Sequence, residues 1–393
     1  MSLKQNISGG KLNSVKADPM YRYLMVLTIA SMAGMQIWRT LFNNFAVDIA
    51  QLNGYHVGVI QAVREVPGFL ALLAIFIMRV IPEHKLSTLS VFILGAGVSI
   101  TGFFPSFSGL IATTLVMSFG FHYFETTNQS LTLQYFDQKT SPWVFGKLRS
   151  AGAAANIVVG ILILGATSLL NYQQSFLIFG ILIILVGSWG FFQNPTHPHL
   201  PVQHKKMILR KKYWLYYFLT FMAGARRQIF MAFSVFLLVK KFSYSVQTVT
   251  ILFVINNFIN YFLSPIIGKA IIRFGERRVL SLEYGSLVFV FIAYAYVESA
   301  IVAGVLYVLD HIFFNFSMAI RTYFQKIGKK EDIAPSMAVG FTINHIAAVI
   351  IPFIGGIIWL TNYKVVFLAA SVLSLISFIA SQFIKTKLTE NPV

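Results

Sequence analysis

The chain reads as an all-α integral membrane protein, with twelve transmembrane helices arranged as two parallel six-helix repeats. Three observations predict this class. Of 393 residues, 56% are hydrophobic and only 11% charged, with a mean hydropathy of +0.71, whereas soluble domains carry about 25% charged residues. Apolar stretches close to the roughly 20 residues needed to cross a bilayer follow one another with short polar breaks. The two halves of the chain also repeat short motifs in the same order. The absence of cysteine excludes disulfides, thiolate metal sites and thiol nucleophiles. A net charge of +18 is explained by basic loops on one membrane side, without invoking nucleic acid.

The elements follow in chain order. Residues 1–20 are polar and lack an apolar core ahead of a small-residue cleavage site. They are expected to form a cytoplasmic tail and not a signal peptide. The apolar runs 21–47, 57–81, 87–104, 110–133, 148–170 and 172–192 each predict one helix. The longest polar break, 195–212, holds His197, His199, His204, Lys205, Lys206, Arg210, Lys211 and Lys212. It is too hydrophilic to cross and predicts a cytoplasmic linker between bundles 21–194 and 213–386. Proline-interrupted spacing of its histidines argues against a metal site there, and no metal or cofactor is predicted. Runs 214–238, 246–267, 279–297, 301–324, 334–360 and 365–384 supply the second six helices, and 387–393 a cytoplasmic tail.

Positive charge sets the orientation. Lys240, Lys241 and Lys364 alone fall at breaks on one side, Arg39, Arg64, Arg226 and Arg227 fall inside spans, and the remaining Lys and Arg fall on the other. Both termini and the linker are therefore expected in the cytoplasm. The repeat rests on matched fragments. Asn171-Tyr-Gln-Gln-Ser-Phe176 recurs as Asn362-Tyr-Lys-Val-Val-Phe367, Met32-Ala-Gly34 as Met222-Ala-Gly224, and Tyr135-Phe136 as Tyr323-Phe324. Nearly constant spacing between copies carries Gly152 onto Gly340 and Asn156 onto Asn344, which indicates a duplicated unit. An even helix number per unit makes the repeats parallel.

A parallel six-plus-six repeat with a basic central linker resembles the major facilitator superfamily over essentially the whole chain after the tail. The most specific local match is the loop Gly268-Lys-Ala-Ile-Ile-Arg273-Phe-Gly275-Glu-Arg277-Arg278. It is similar to that family's gating-loop signature, with Ile272 where the signature has an acid. The first-half counterpart, Arg79-Val-Ile-Pro-Glu83-His-Lys85, is degenerate. The resemblance implies a twelve-helix fold alternating access to a midplane site. Helices one, four, seven and ten would line the cavity, supported by two, five, eight and eleven, while three, six, nine and twelve face lipid.

Ionisable residues mid-membrane cost about 2.5 to 3.5 kcal/mol on insertion scales and need a partner, a wet cavity or a task. This chain has Arg39, Arg64, Glu65, His122, Glu125, Arg226, Arg227, Asp310, His311 and His345 in predicted spans. Arg39 and the pair Arg226 and Arg227 lie in equivalent helices. A guanidinium is permanently charged and shaped for bidentate capture of carboxylate or phosphate, so these residues are expected to bind an anion, with Asn43, Asn156 and Asn344 orienting it. Arginines on helices one and seven resemble the phosphate grip of the organophosphate:phosphate antiporter branch. Only one of Arg226 and Arg227 can face the cavity squarely. Glu125 and Asp310, also in equivalent helices, with His122 and His311 beside them, have the composition of a proton-coupling site. Arg64 and Glu65 are expected to form an ion pair within their helix.

The expectation is a secondary active transporter, not an enzyme, moving a small anionic metabolite or anionic chelate by alternating access, coupled to protons. Its partners would be substrate, protons and lipid, without nucleic acid, and it would act as a monomer in the inner membrane. The alternative is a proton antiporter exporting amphipathic compounds, drawn from the 38 Phe and 17 Tyr that can form an adaptable pocket. An acid–base membrane enzyme built on Asp310 and His311 has little need of a symmetric duplication.

Overall fold

The computed structural model describes residues 9–166 and 169–385. It is helical throughout, with no strand among the described residues. The membrane helices are α1 (Pro19–Ile49), α2 (Tyr55–Ile77), α3 (Glu83–Thr101), α4 (Phe107–Tyr135), α5 (Ser141–Ala166) and α6 (Tyr172–Phe191). The second half holds α7 (Lys211–Lys240), α8 (Thr248–Phe274), α9 (Glu276–Tyr296), α10 (Ala300–Ile327), α11 (Ile333–Thr361) and α12 (Tyr363–Ser381). The predicted tail 387–393 lies outside the described residues, as do the first eight residues of the N-terminal tail and the pair 167–168.

Local chemistry sets the ends. Ahead of α1 runs a nine-residue helix, Gly9–Ala17, where the sequence predicted only a tail. Asp18 then caps α1 by accepting from the Met20 N–H, and Pro19 fills the first turn, where its missing N–H costs nothing. Asn171 caps α6 and Asn362 caps α12, so the repeated Asn-Tyr fragment performs the same task twice. Helix α5 begins at Ser141, seven residues before its predicted start at 148. Pro142 sits in its first turn, where proline is tolerated, and Trp143, Val144 and Phe145 are buried. The repeat is also visible in packing. A methyl group on Gly152 of α5 would strike Met32 of α1, and one on Gly340 of α11 would strike the Tyr216 hydroxyl of α7.

The first half has its own apolar core, and that of the second takes in Leu133 and Phe145 of the first; the halves meet along two seams. In one, α5 packs on α8. Pro265 removes the helical hydrogen bond to the Tyr261 carbonyl, and the Ser150 hydroxyl from the opposite half takes its place at 2.6 Å. Gly146 and Gly268 let the backbones touch. A methyl on Gly268 would collide with the Pro142 carbonyl, and one on Gly146 with Ser264. In the other seam α11 packs on α2 and α4. Towards the chain ends Gln325 of α10 donates to the Leu133 and Phe136 carbonyls at 2.7 and 2.6 Å and accepts from Ser141 at 2.6 Å. These bonds run from midspan to the side bearing both chain ends. On the far side, Arg39, Thr40, Asn43 and Asn44 of α1 remain solvent-accessible.

Candidate functional site

Three polar groups lie in the middle of the fold. The first forms where α2, α4, α7 and α11 converge. Pro67 and the 3-10 turn Leu70–Leu73 interrupt α2 just past Glu65, and the Leu72 N–H donates to Thr342 of α11 at 3.0 Å. The Ser118 hydroxyl of α4 donates to the Arg64 carbonyl. So braced, α2 presents Arg64 and Glu65 to the seam. Arg64 Nη2 donates to Glu65 Oε1 at 2.6 Å, and Glu65 Oε2 lies 3.7 Å from His345 Nε2.

His345 is 1% exposed. Its Nδ1–H donates to the Phe341 carbonyl at 2.9 Å, leaving Nε2 as a bare lone pair with no hydrogen-bond partner. The buried His122 ring stands edge-on to it, centroids 4.9 Å apart. Neither ring nitrogen of His122 makes a well-formed hydrogen bond, although the Arg64 backbone acts on the ring. One ligand atom from each of Glu65, His122 and His345 lies within 4.8 Å of the others. Arg227 acts electrostatically on Glu65, His122 and His345, and its Nε and Nη2 have no acceptor.

The second group is enclosed in the second half. Arg226 Nη2 lies 3.5 Å from Glu283 Oε1, the side chains being 4% and 2% exposed, and the guanidinium sits 4.1 Å over the Tyr284 ring. Asp310 is buried in the same small cavity, which Ala223, Arg227, Phe230, Leu287 and Phe314 complete. Helix α9, expected to face lipid, thus turns the Glu283 carboxylate into the bundle, where Arg226 and Arg149 act on it.

The third group spans α4, α5, α8 and α10. Arg149 and Arg321 act on Glu125, and Arg149 stacks over Phe314 of α10 at 5.4 Å while Arg321 stacks over Phe145 of α5 at 5.9 Å. The sequence count placed both arginines among the loop charges. They lie within α5 and α10 instead, and the detectable signal was their position inside apolar runs. Asn260 Nδ2 donates to His311 Nε2 at 2.7 Å, and Asn315 donates to Asn260 and to the His311 carbonyl. Asp310 and His311, adjacent in sequence, therefore serve different neighbourhoods.

The remaining predicted residues are spread more widely. Arg39 is accessible from the far side and acts with Arg64, Glu65 and Tyr307, while Asn43 is exposed one turn on. Asn156 Nδ2 donates to Asn257 of the other half at 3.0 Å, whereas its repeat partner Asn344 donates to the Thr220 carbonyl within its own half at 3.1 Å. In the loop between α8 and α9, Gly275 has φ +80°, a conformation that favours glycine, and joins the two helices end to end. Arg277 donates twice to Gln382 just past α12, Arg273 lies over Phe274, and Arg278 is exposed. Ile272 stands where the signature has an acid, and four residues on Glu276 accepts from Lys326 of α10 at 2.7 Å.

Electrostatically the seam is rich in cations. Arg39, Arg64, Arg149, Arg227 and Arg321 act on one another and on Glu65 and Glu125. With Glu283, which also acts on Arg149, five guanidiniums stand among three carboxylates.

The chain matches the family model of the Major Facilitator Superfamily over residues 24–325. No curated protein matches it in sequence. The fold is similar to the crystal structure of the human organic anion transporter MFSD10 (TETRAN), with TM-score 0.75 and 12% identity, covering 93% of this chain and 99% of that one. It is similar to FucP, a Major Facilitator Superfamily transporter in the outward conformation, with TM-score 0.74, 12% identity, and coverage of 93% and 99%. It is also similar to a bacterial homologue of the iron transporter ferroportin in an outward-facing state, with TM-score 0.76, 11% identity, and coverage of 94% and 100%.

Proposed function

The chain belongs to the Major Facilitator Superfamily, a multi-pass membrane transporter of a small molecule and not an enzyme, and from that premise we propose that it carries an anionic solute through the seam between its halves by alternating access. One observation carries this reading. Arg227 holds Nε and Nη2 without acceptors midway along α7, inside a cluster already short of negative charge. A guanidinium left so is costly, and a carboxylate or phosphate docking bidentately satisfies it. Arg39, on the accessible side, suits the first encounter.

The bonds closing the seam towards the chain ends, with Arg39 and Asn43 accessible opposite, correspond to an outward-facing state if the termini are cytoplasmic in the inner membrane, as the basic loops favour. Glu125, between α4 and the arginines of α5 and α10, is the suited proton carrier. Its protonation would release Arg149 and Arg321 and loosen the α4–α10 contact. Asp310, enclosed with Arg226 and Glu283, is better suited to holding the second half together.

The test is a thermal-shift screen of the purified protein against carboxylates, phosphates and sugar phosphates, followed by uptake into proteoliposomes with and without a pH gradient. The expected result is stabilisation by at least one anion, abolished in Arg227→Gln. If no anion stabilises the protein, or if Arg227→Gln responds like the parent, the reading fails.

A further inference from the structure

Glu65 and His122 belong to one half and His345 to the other, so a single set of donor atoms is completed only when the seam is closed. We infer that this set binds a divalent first-row transition-metal ion presented as an anionic chelate, the chelate's free carboxylates being taken by Arg227 and Arg64. The inference rests on the anion site proposed above and names its cargo.

The geometry is near that of a coordination site. Metal bonds to imidazole nitrogen and carboxylate oxygen are about 2.0 to 2.2 Å, which puts ligands of a tetrahedral centre roughly 3.3 to 3.5 Å apart. Glu65 Oε2 and His345 Nε2 already stand 3.7 Å apart, and the whole set spans no more than 4.8 Å. Closing on an ion requires side-chain shifts of about 1 Å.

The surroundings are arranged for ligation. The Phe341 carbonyl takes the outer N–H of His345 and points its lone pair inward, the usual outer-shell arrangement of a metal-binding histidine. Both nitrogens of His122 lack a well-formed hydrogen bond although the ring is buried. Gly68 leaves the space that the His345 ring occupies, since any larger residue would strike it. A helix-packing role would satisfy these nitrogens with protein partners. It would not leave two of them converging with a carboxylate oxygen.

Two imidazoles and one carboxylate suit iron, cobalt, nickel or zinc better than calcium or magnesium. Three protein ligands leave coordination positions for a second ligand. Charge decides what that ligand is. A bare dication would face Arg64 and Arg227, whereas a polycarboxylate complex is net negative and offers oxygens to both guanidiniums.

The experiment titrates cobalt(II), cobalt(II)–citrate and citrate alone into the full-length protein in detergent. It follows the visible d–d absorption and a calorimetric affinity, with His122→Gln and His345→Gln variants alongside. The expected result is one cobalt(II)–citrate per chain, bound at least tenfold more tightly than either component, with an intensified spectrum marking imidazole ligation. Each histidine variant should lose the spectral change while keeping the parent's ligand-free melting temperature. Equal binding of citrate alone with no spectral change overturns the metal proposal and leaves the anion site standing. No binding of any of the three overturns the metal proposal, and the anion site falls with it only if the carboxylates, phosphates and sugar phosphates of the thermal-shift screen are silent as well. Cobalt binding that survives both variants comes from other histidines and overturns the proposal. A variant that melts early is replaced by His345→Asn, and the parent spectrum remains decisive.

Discussion

Arg226 and Arg227 are adjacent and meet different partners, because successive helical residues point about 100° apart. Arg226 pairs with Glu283 and lies over Tyr284, whereas Arg227, which borders the same cavity, acts on Glu65, Arg64 and Arg321 at the seam. The first is a buried ion pair, and removing one partner strands the other charge at a cost of about 3 to 5 kcal/mol. Arg226→Met should therefore lower the melting temperature strongly, and adding Glu283→Leu should restore most of it. Arg227→Gln should leave it nearly unchanged. An Arg226→Met protein that melts like the parent would show that the pair is not structural. That one of the two arginines must face away was legible in the sequence. Which one was not, because the answer depends on Glu283 arriving from α9, whose inward face no local pattern announces.

At the level of helices, the closed side depends on backbone contact between α5 and α8, where Gly146 and Gly268 stand against Ser264 and Pro142. Gly268→Val should hold these helices apart on the side of the chain ends and favour the oppositely open state. The natural lack of cysteine makes this measurable. A Ser141→Cys probe, buried beside Gln325 in the parent, should react with a membrane-impermeant maleimide added on that side at least several-fold faster when Gly268→Val is present. Equal labelling would mean that the contact does not hold the seam. The sequence marked Gly268 through its loop signature. Its role as a contact point for a helix of the other half was invisible, because nothing local encodes the partner backbone.

Across the whole molecule, the linker between the halves is a structural clamp. Gln203 donates to the Lys330 carbonyl, and Arg79 of the first half exchanges hydrogen bonds with Lys205. Asp332, ahead of α11, accepts from Arg210 twice and from Tyr213 and His204. Burial alone would raise this carboxyl, but the hydrogen bonds from Arg210, Tyr213 and His204 hold it at about 2. A depressed pKa contributes stability that is present above the unfolded value of about 3.9 and lost as pH falls through the folded one. The parent should thus melt above Asp332→Asn at neutral pH, and the gap should close between about pH 4 and pH 2. A gap that persists at pH 2 would mean that the charge is not what the clamp uses. The apolar runs, basic loops and repeated fragments determined by themselves the number of membrane helices, the duplication and the family, since hydropathy and spacing are local properties that lipid enforces segment by segment. Only the tertiary structure decided that Glu65, His122 and His345 meet, that Arg149 and Arg321 belong to the seam, and that His204 joins Asp332. Those encounters unite residues far apart in the chain, and packing alone sets the distances between them.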